Sequence, residues 1–356
     1  MTHASPSAPP GPYPWLRAFS FLLVAMTLGL IYLGGLVKSH EAGLAVPDWP
    51  TTYGQNMFLY PPSEWTGGIF YEHTHRLLAS AVGLITLLLC LWAAWTKMPI
   101  WFKMVASLAL VMVVMQGILG GMTVLMMLPT AISVSHGVLA QAFLVVTVLI
   151  AYTLSREAFK RREGAMDTSA PRLRVWAIVL MAAIFGQLVL GAVMRHSDAG
   201  LAVPDFPLMG GQVLPLYNES MYSAIEAHRT DLAFEYGLHL PAVTAGQVTV
   251  HLLHRLGALV IVALAVVLTL LARRFAAGNA RVLRTVYTLD ALIAVQAALG
   301  ALTIWTVRQP TITSLHVVLG AGLLALSTVL ILRCLPITLE AREEAARAPA
   351  GEPQSA

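Results

Sequence analysis

Eight apolar stretches, each about 20 residues or longer, leave little of this chain for a soluble core. They run approximately over residues 15–37, 72–95, 101–127, 131–154, 175–194, 247–271, 282–307 and 313–332. A stretch of that length crosses hydrocarbon as an α-helix, because the helix satisfies its own backbone hydrogen bonds. Composition agrees: hydrophobic residues make up 57% of 356 and charged residues 11%, against about 25% charged in a typical soluble protein. The expectation is an all-α integral membrane protein with eight transmembrane helices. The first stretch runs into Gly34-Gly35 without a small-residue cleavage site, so it reads as a span and not as a removable signal.

The chain also says one thing twice. Ala42-Gly43-Leu44-Ala45-Val46-Pro47-Asp48 returns unchanged as Ala199-Gly200-Leu201-Ala202-Val203-Pro204-Asp205, 157 positions later. Glu72-His73-Thr74-His75-Arg76-Leu77 matches His251-Leu252-Leu253-His254-Arg255-Leu256 at an offset of 179, and Ser135-His136-Gly137 matches Leu315-His316-Val317 at 180. Gln116 and Gln296 also correspond at 180. The offset grows because the loop between the first two motifs is longer in the second copy. Internal repetition of this kind implies two copies of one supersecondary unit, here two tandem four-helix bundles. The expected division is 1–14 disordered tail, 15–154 first bundle, 155–174 linker, 175–334 second bundle and 335–356 disordered tail. Gly117, Gly120 and Gly121, with Ala297 and Gly300, read as sites of close helix packing.

The basic residues give orientation. Arg156, Lys160, Arg161, Arg162, Arg172 and Arg174 crowd the linker, and Arg273, Arg274, Arg281 and Arg284 the loop after the sixth stretch. The two long loops are richer in acids. The positive-inside rule then places both termini in the cytoplasm and the long loops outside, in a bacterial inner membrane crossed many times. The formal charge of +4 is a topology signal, and the scatter of bases at helix ends argues against a nucleic-acid partner. Cys90 and Cys334 fall near the cytoplasmic ends of spans, so an outer-face disulfide is not expected.

Depth singles out four histidines. His75 and His136 lie in the first turns of two stretches that run in the same direction, and His254 and His316 repeat the arrangement. Alternate helices of a bundle can face each other across its core. Two opposed imidazoles at one level can clamp a planar iron porphyrin, which makes all four metal-ligand candidates. A lone histidine at this depth is ordinarily a hydrogen-bonded interfacial residue. Four at matched positions favour ligation, since ionisable groups inside membranes tend to be functional. Arg76 and Arg255 could meet porphyrin propionates or simply reach headgroups. Glu72 could act chemically or merely favour a helix start.

Together, Gly34-Gly35-Leu36-Val37, Ala42 to Pro50, Glu72-x-x-His75-Arg76 and Ser135-His136-Gly137, with their second copies, resemble the heme A synthase family. The likeness runs from the first span to the eighth. It implies oxidation of the C8 methyl of heme O to a formyl group, giving heme A for cytochrome c oxidase. It implies that His75 and His136 flank the heme O substrate, that Glu72 is catalytic, and that His254 and His316 are the ligands of a bis-His heme b cofactor; Arg76 stands with the first pair as a substrate-haem contact and Arg255 with the second as a cofactor contact. The implied partners are the lipid bilayer, heme O synthase and cytochrome c oxidase assembly factors. Some family members carry a cysteine pair in an outer loop; this chain has none, so a mechanism requiring that pair does not operate here.

Two rival readings belong to other classes. A bis-haem cytochrome b-type electron-transfer subunit would hold two permanent haems and make no product. The exchange of Glu72 for His251 argues against it, since a pure wire gains nothing from that asymmetry. A transporter would more often show inverted repeats, broken helices and a midplane site.

Overall fold

The computed structural model describes residues 13–162, 170–213 and 215–335. The expected tails, over 1–12 and 336–356, and the middle of the linker, 163–169, lie outside them. The described residues form ten α-helices: α1 Pro14–Ser39, α2 Gly67–Trp95, α3 Ile100–Leu125, α4 Thr130–Thr153, α5 Arg156–Arg162, α6 Pro171–His196, α7 Glu219–Tyr236, α8 Ala245–Phe275, α9 Ala280–Trp305 and α10 Pro310–Cys334. Eight are long and apolar enough to cross a membrane, and each coincides with one of the eight apolar stretches. Proline opens α1, α6 and α10, where its missing N–H costs nothing. Asn279 and Gln309 cap α9 and α10 by accepting from Val282 and Ile312. A reciprocal box of Thr244 and Gln247 starts α8.

The packing gives two rings of four. In the first, α1 and α3 each pack on α2 and α4; in the second, α6 and α9 each pack on α8 and α10. Each ring has its own apolar core. Leu16, Leu23, Leu89, Phe102 and Ile150 are buried in the first, and Leu173, Leu180, Leu268, Val286 and Leu330 in the second. The rings meet along α1, α4, α6 and α10, where Leu144, Val148 and Ala321 form a separate apolar seam. The outward faces stay apolar. On α3, Leu108, Val111, Val114, Met115 and Ile118 are all exposed, a row that suits lipid and would be a liability in water.

Two helices were not expected. α7 lies in the second long loop, bounded by an Asn218 cap on Met221 N and a left-handed Gly237, both ordinary helix-end signals. α5, in the basic linker, works as a clasp between the rings. Its Arg161 is buried and donates to the carbonyls of Leu332, Arg333 and Leu335 at the end of α10, and to the Tyr152 hydroxyl. Those carbonyls lack helical partners, so a cation there also meets the negative end of the helix dipole. Glu157 pairs with Arg333 at 2.7 Å and with Arg281 at 3.1 Å.

Burial pushes the Glu157 carboxyl up, but hydrogen bonds and charge from Arg333, then Tyr152 and Arg281, outweigh it and hold the group below its ordinary 4.5. A depressed carboxylate contributes stability that is present above 4.5 and lost as pH falls through the lowered value. Thermal unfolding in detergent should therefore show an acid-induced loss that Glu157→Gln largely removes. Arg161→Leu should cost about 3 kcal/mol, as for breaking a buried charged network. An unchanged melting midpoint in Arg161→Leu would show that the clasp is not structural.

Candidate functional site

Helix geometry brings the repeated residues into one layer near the long-loop end of each ring. His75 and His136 project from α2 and α4, and His254 and His316 from α8 and α10. The rings of His254 and His316 face each other with centroids 6.4 Å apart and planes inclined by 68°. Two metal–imidazole bonds of about 2 Å each fit that separation.

Each imidazole rests on a bare stretch of backbone. A β-carbon at Gly34 would lie 3.1 Å from His75 Cε1, at Gly120 3.3 Å from His136 Cε1, at Gly191 3.1 Å from His254 Cε1, and at Gly300 3.2 Å from His316 Cε1. All four glycines belong to neighbouring helices, α1, α3, α6 and α9. Gly120 and Gly300, expected as helix-packing positions, therefore pack against histidines. The Nδ1 atoms of all four rings are enclosed, and the backbone carbonyls of Leu30, Gln116 and Gln296 offer acceptors to His75, His136 and His316. An acceptor behind Nδ1 leaves Nε2 as the atom for a ligand. Glutamines brace three of the four from the backbone side. Gln116, Gln187 and Gln296 donate to the carbonyls of His136, His254 and His316 at 3.0, 2.6 and 3.0 Å. The position that corresponds to Gln187 in the first ring is Leu30, so His75 lacks this brace.

The donor chemistry narrows the occupant. Among the described residues no group of three His, Cys, Asp or Glu side chains is gathered to hold a bare metal ion. Two opposed imidazoles without a third protein ligand fit a metal that brings its own equatorial ligands, which an iron porphyrin does.

Above the histidines, the two repeated loops fold alike. Each contains an isolated bridge, Thr52 with Gln55 and Met209 with Gln212, and a cis bond, Trp49–Pro50 and Phe206–Pro207. Asp48 accepts from the amides of Tyr53 and Gly54, and Asp205 from those of Gly210 and Gly211. Burial raises the Asp48 carboxyl, but the Thr51 hydroxyl and these amides outweigh it and hold the group below its ordinary 3.8.

The two arginines fasten these loops. Arg76 donates to the carbonyls of Val46, Asp48 and Thr51, and Arg255 to the corresponding carbonyls of Val203, Asp205 and Leu208. The sequence reading aimed both guanidiniums at propionates or headgroups. Their observed partners are loop carbonyls, because a buried guanidinium takes the nearest fixed acceptors. Glu72 is buried and is committed on both oxygens, to Arg76 at 2.6 Å and to the Val46 amide at 2.7 Å. It stands five residues into α2, which begins at Gly67 with no acid in its first turn. The helix-start reading of Glu72 therefore does not hold. Its counterpart His251 is also buried and sets Nδ1 2.9 Å from the Ala199 carbonyl. Both residues at this position address the loop.

Three further positions support the site. Gln187 had its signal, since it donates as Gln116 and Gln296 do. His73 is buried between Trp65 and Tyr60, with Thr52 Oγ1 3.3 Å from its Nδ1. Arg195, near the end of α6, crosses to the other ring and donates to Gly35 O and Ser39 Oγ.

Comparison with known proteins agrees with this geometry. The family model described as "Cytochrome oxidase assembly protein" matches residues 17–328. A heme A synthase of Shewanella oneidensis is 28% identical over 78% of this chain and 84% of its own length. Those of Rhodopseudomonas palustris and Anaplasma marginale are 28% and 29% identical, covering 95% and 85% of this chain and 94% and 89% of theirs. The chain therefore belongs to the cytochrome oxidase assembly protein family, that of the heme A synthases.

Proposed function

We propose that this protein is a heme A synthase of a bacterial inner membrane, oxidising the C8 methyl of heme O to a formyl group. The observation that supports this best is the asymmetry of an otherwise repeated site. Each ring carries an opposed histidine pair, yet only the first places a carboxylate, Glu72, one turn from its histidine. Heme O as substrate belongs in that ring, between His75 and His136. His254 and His316 would hold a heme b, which would supply a one-electron carrier.

Converting a methyl to a formyl group removes four electrons and inserts one oxygen atom. Protons must also leave the reacting carbon and its hydroxymethyl successor. Glu72 is the group to receive them. The Arg76 guanidinium and the Val46 and Ala45 amides hold its oxygens, and two carboxylate oxygens offer four lone pairs. Glu72 can therefore accept a proton without releasing Arg76 or the Val46 amide. Arg76 positions that carboxylate and ties the loop over it. Heme O synthase as donor and cytochrome c oxidase assembly factors as recipients follow from the same reading.

Three measurements test it. Replacing His254 or His316 with Ala should abolish the six-coordinate low-spin spectrum of the resident heme b, whereas His136→Ala should leave it largely intact. A double His254 and His316 variant with a normal spectrum would move the cofactor out of the second ring. Glu72→Gln, in a host that makes heme O, should give folded haem-containing protein that accumulates heme O or a partly oxidised intermediate. His251→Ala should reduce heme A yield less. Normal heme A from Glu72→Gln would leave Glu72 as a loop anchor only, and two permanent haems with no formylated product would favour the electron-transfer reading. Finally, Ser63 and Ser220, both exposed in the long loops, should as cysteines react with an impermeant reagent in intact cells. Reaction only after permeabilisation would reverse the orientation.

A further inference from the structure

Among the described residues, the seam between the rings holds a cation with no acid paired to it. α1 presents Gly34 to His75 and, on its next residue, Gly35 to Ser314, whose Cβ would lie 3.1 Å from a β-carbon there. Ser314 is two residues before His316, and its Oγ is 3.4 Å from that of Ser39. Arg195 reaches into this junction from α6 and spends Nη2 on Gly35 O and Ser39 Oγ. Its Nη1 is enclosed and has no hydrogen-bond partner among the described residues. Nor does Arg195 have a carboxylate within ion-pair distance among them; Lys38, its counterpart in the first ring, takes Asp198 at 3.3 Å. The charge that does reach Arg195 is Arg308, of the same sign.

A guanidinium with an enclosed, unused N–H is costly unless an anion completes it. A lipid headgroup is a poor candidate, because Nη1 faces protein. Arg195 stands one turn along α6 from Gly191, which backs His254, and its charge reaches His316. We propose that Arg195 holds a carboxylate of the tetrapyrrole seated between His254 and His316, from the seam side, and thereby favours its reduced form. The inference rests on the haem assignment made above. Planar N–H pairs suit carboxylates, and a fixed positive charge nearby favours the less positive iron.

The test uses the full chain in detergent. Arg195→Gln should keep the low-spin bis-imidazole spectrum. At fixed ambient potential it should raise the oxidised-to-reduced ratio of that haem about tenfold, equivalent to about 59 mV for one electron. Arg195→Lys, which keeps the charge, should restore most of the difference. Independently, haem-free protein is titrated with protohaem and with its dimethyl ester, whose carboxylates are blocked. Wild type should bind the ester about tenfold more weakly, and Arg195→Gln should discriminate much less. A wild-type midpoint in Arg195→Gln overturns the proposal. So does equal binding of acid and ester by wild type, which decides the matter even where Arg195→Gln fails to fold. If haem survives loss of both His254 and His316, the haem assignment itself fails, and the spectrum reveals that before any potential is measured.

Discussion

Everything in the two sites depends on imidazoles pressed against glycine. A histidine deep among lipid-spanning helices needs room in a close-packed bundle, and a neighbouring side chain would occupy it. Removing that side chain lets the helix backbone approach and fixes the ring from one side. The contact occurs four times, at Gly34, Gly120, Gly191 and Gly300, with Cβ-to-ring distances all between 3.1 and 3.3 Å. A ring so held has little rotational freedom to lose when it meets a ligand, which is what a preorganised ligand shell requires. The loops complete the arrangement. Their arginines use three equivalent carbonyls in each copy, so the lid and the histidine helix move as one piece.

Against this shared frame, the differences between the rings are few and fall close to the histidines. In the second ring Gln187 braces the His254 carbonyl and lies over Gly257, where any side chain would collide with it. In the first ring the corresponding residues are Leu30 and Leu78. A polar brace with a close helix approach is thus replaced by two apolar side chains beside His75. Position 72 becomes an acid where position 251 is an imidazole. A pair braced at both histidines suits a group that stays, and a pair braced only at His136, with a carboxylate beside it, suits a group that enters, reacts and leaves.

Much of this was legible in the chain. The eight spans follow from apolar length alone, and the layer of histidines follows from repeated spacing at helix starts. What escaped was decided by groups whose partners are remote in sequence. The loop carbonyls that Arg76 binds, 25 to 30 residues away, are invisible until the loop folds back. Glu72 looked like a helix opener because the apolar run seemed to start there; the helix gains another turn from Gly67, whose φ of 52° marks the bend before it. α7 has a mean polarity that hides it from any apolar scan, although Asn218 and Gly237 mark its two ends. Arg195 belongs to none of the motifs the sequence singles out, and only the meeting of α1, α6 and α10 turns it inward.

The polar contacts across the seam sit at its two ends, with the apolar cluster of Leu144, Val148 and Ala321 between them. At one end α5 ties the rings through Arg161 and Glu157. At the other, Lys38, Arg195 and the Thr130 hydroxyl, which donates to His196 O, join them beside the histidine layers. That distribution follows from the membrane. Polar groups cost least near the boundaries, and a dry apolar middle keeps the two rings in fixed register. A fixed register matters for the proposed chemistry. Electrons taken from a substrate in one ring must reach a carrier in the other, so the two layers must share a depth and a wall. α1 is that wall: Gly34 faces one histidine and Gly35 the residue two before another. The repeated layout gives matched depth, and the short stretch from Gly34 to Ser39 is where the two rings join beside the histidines.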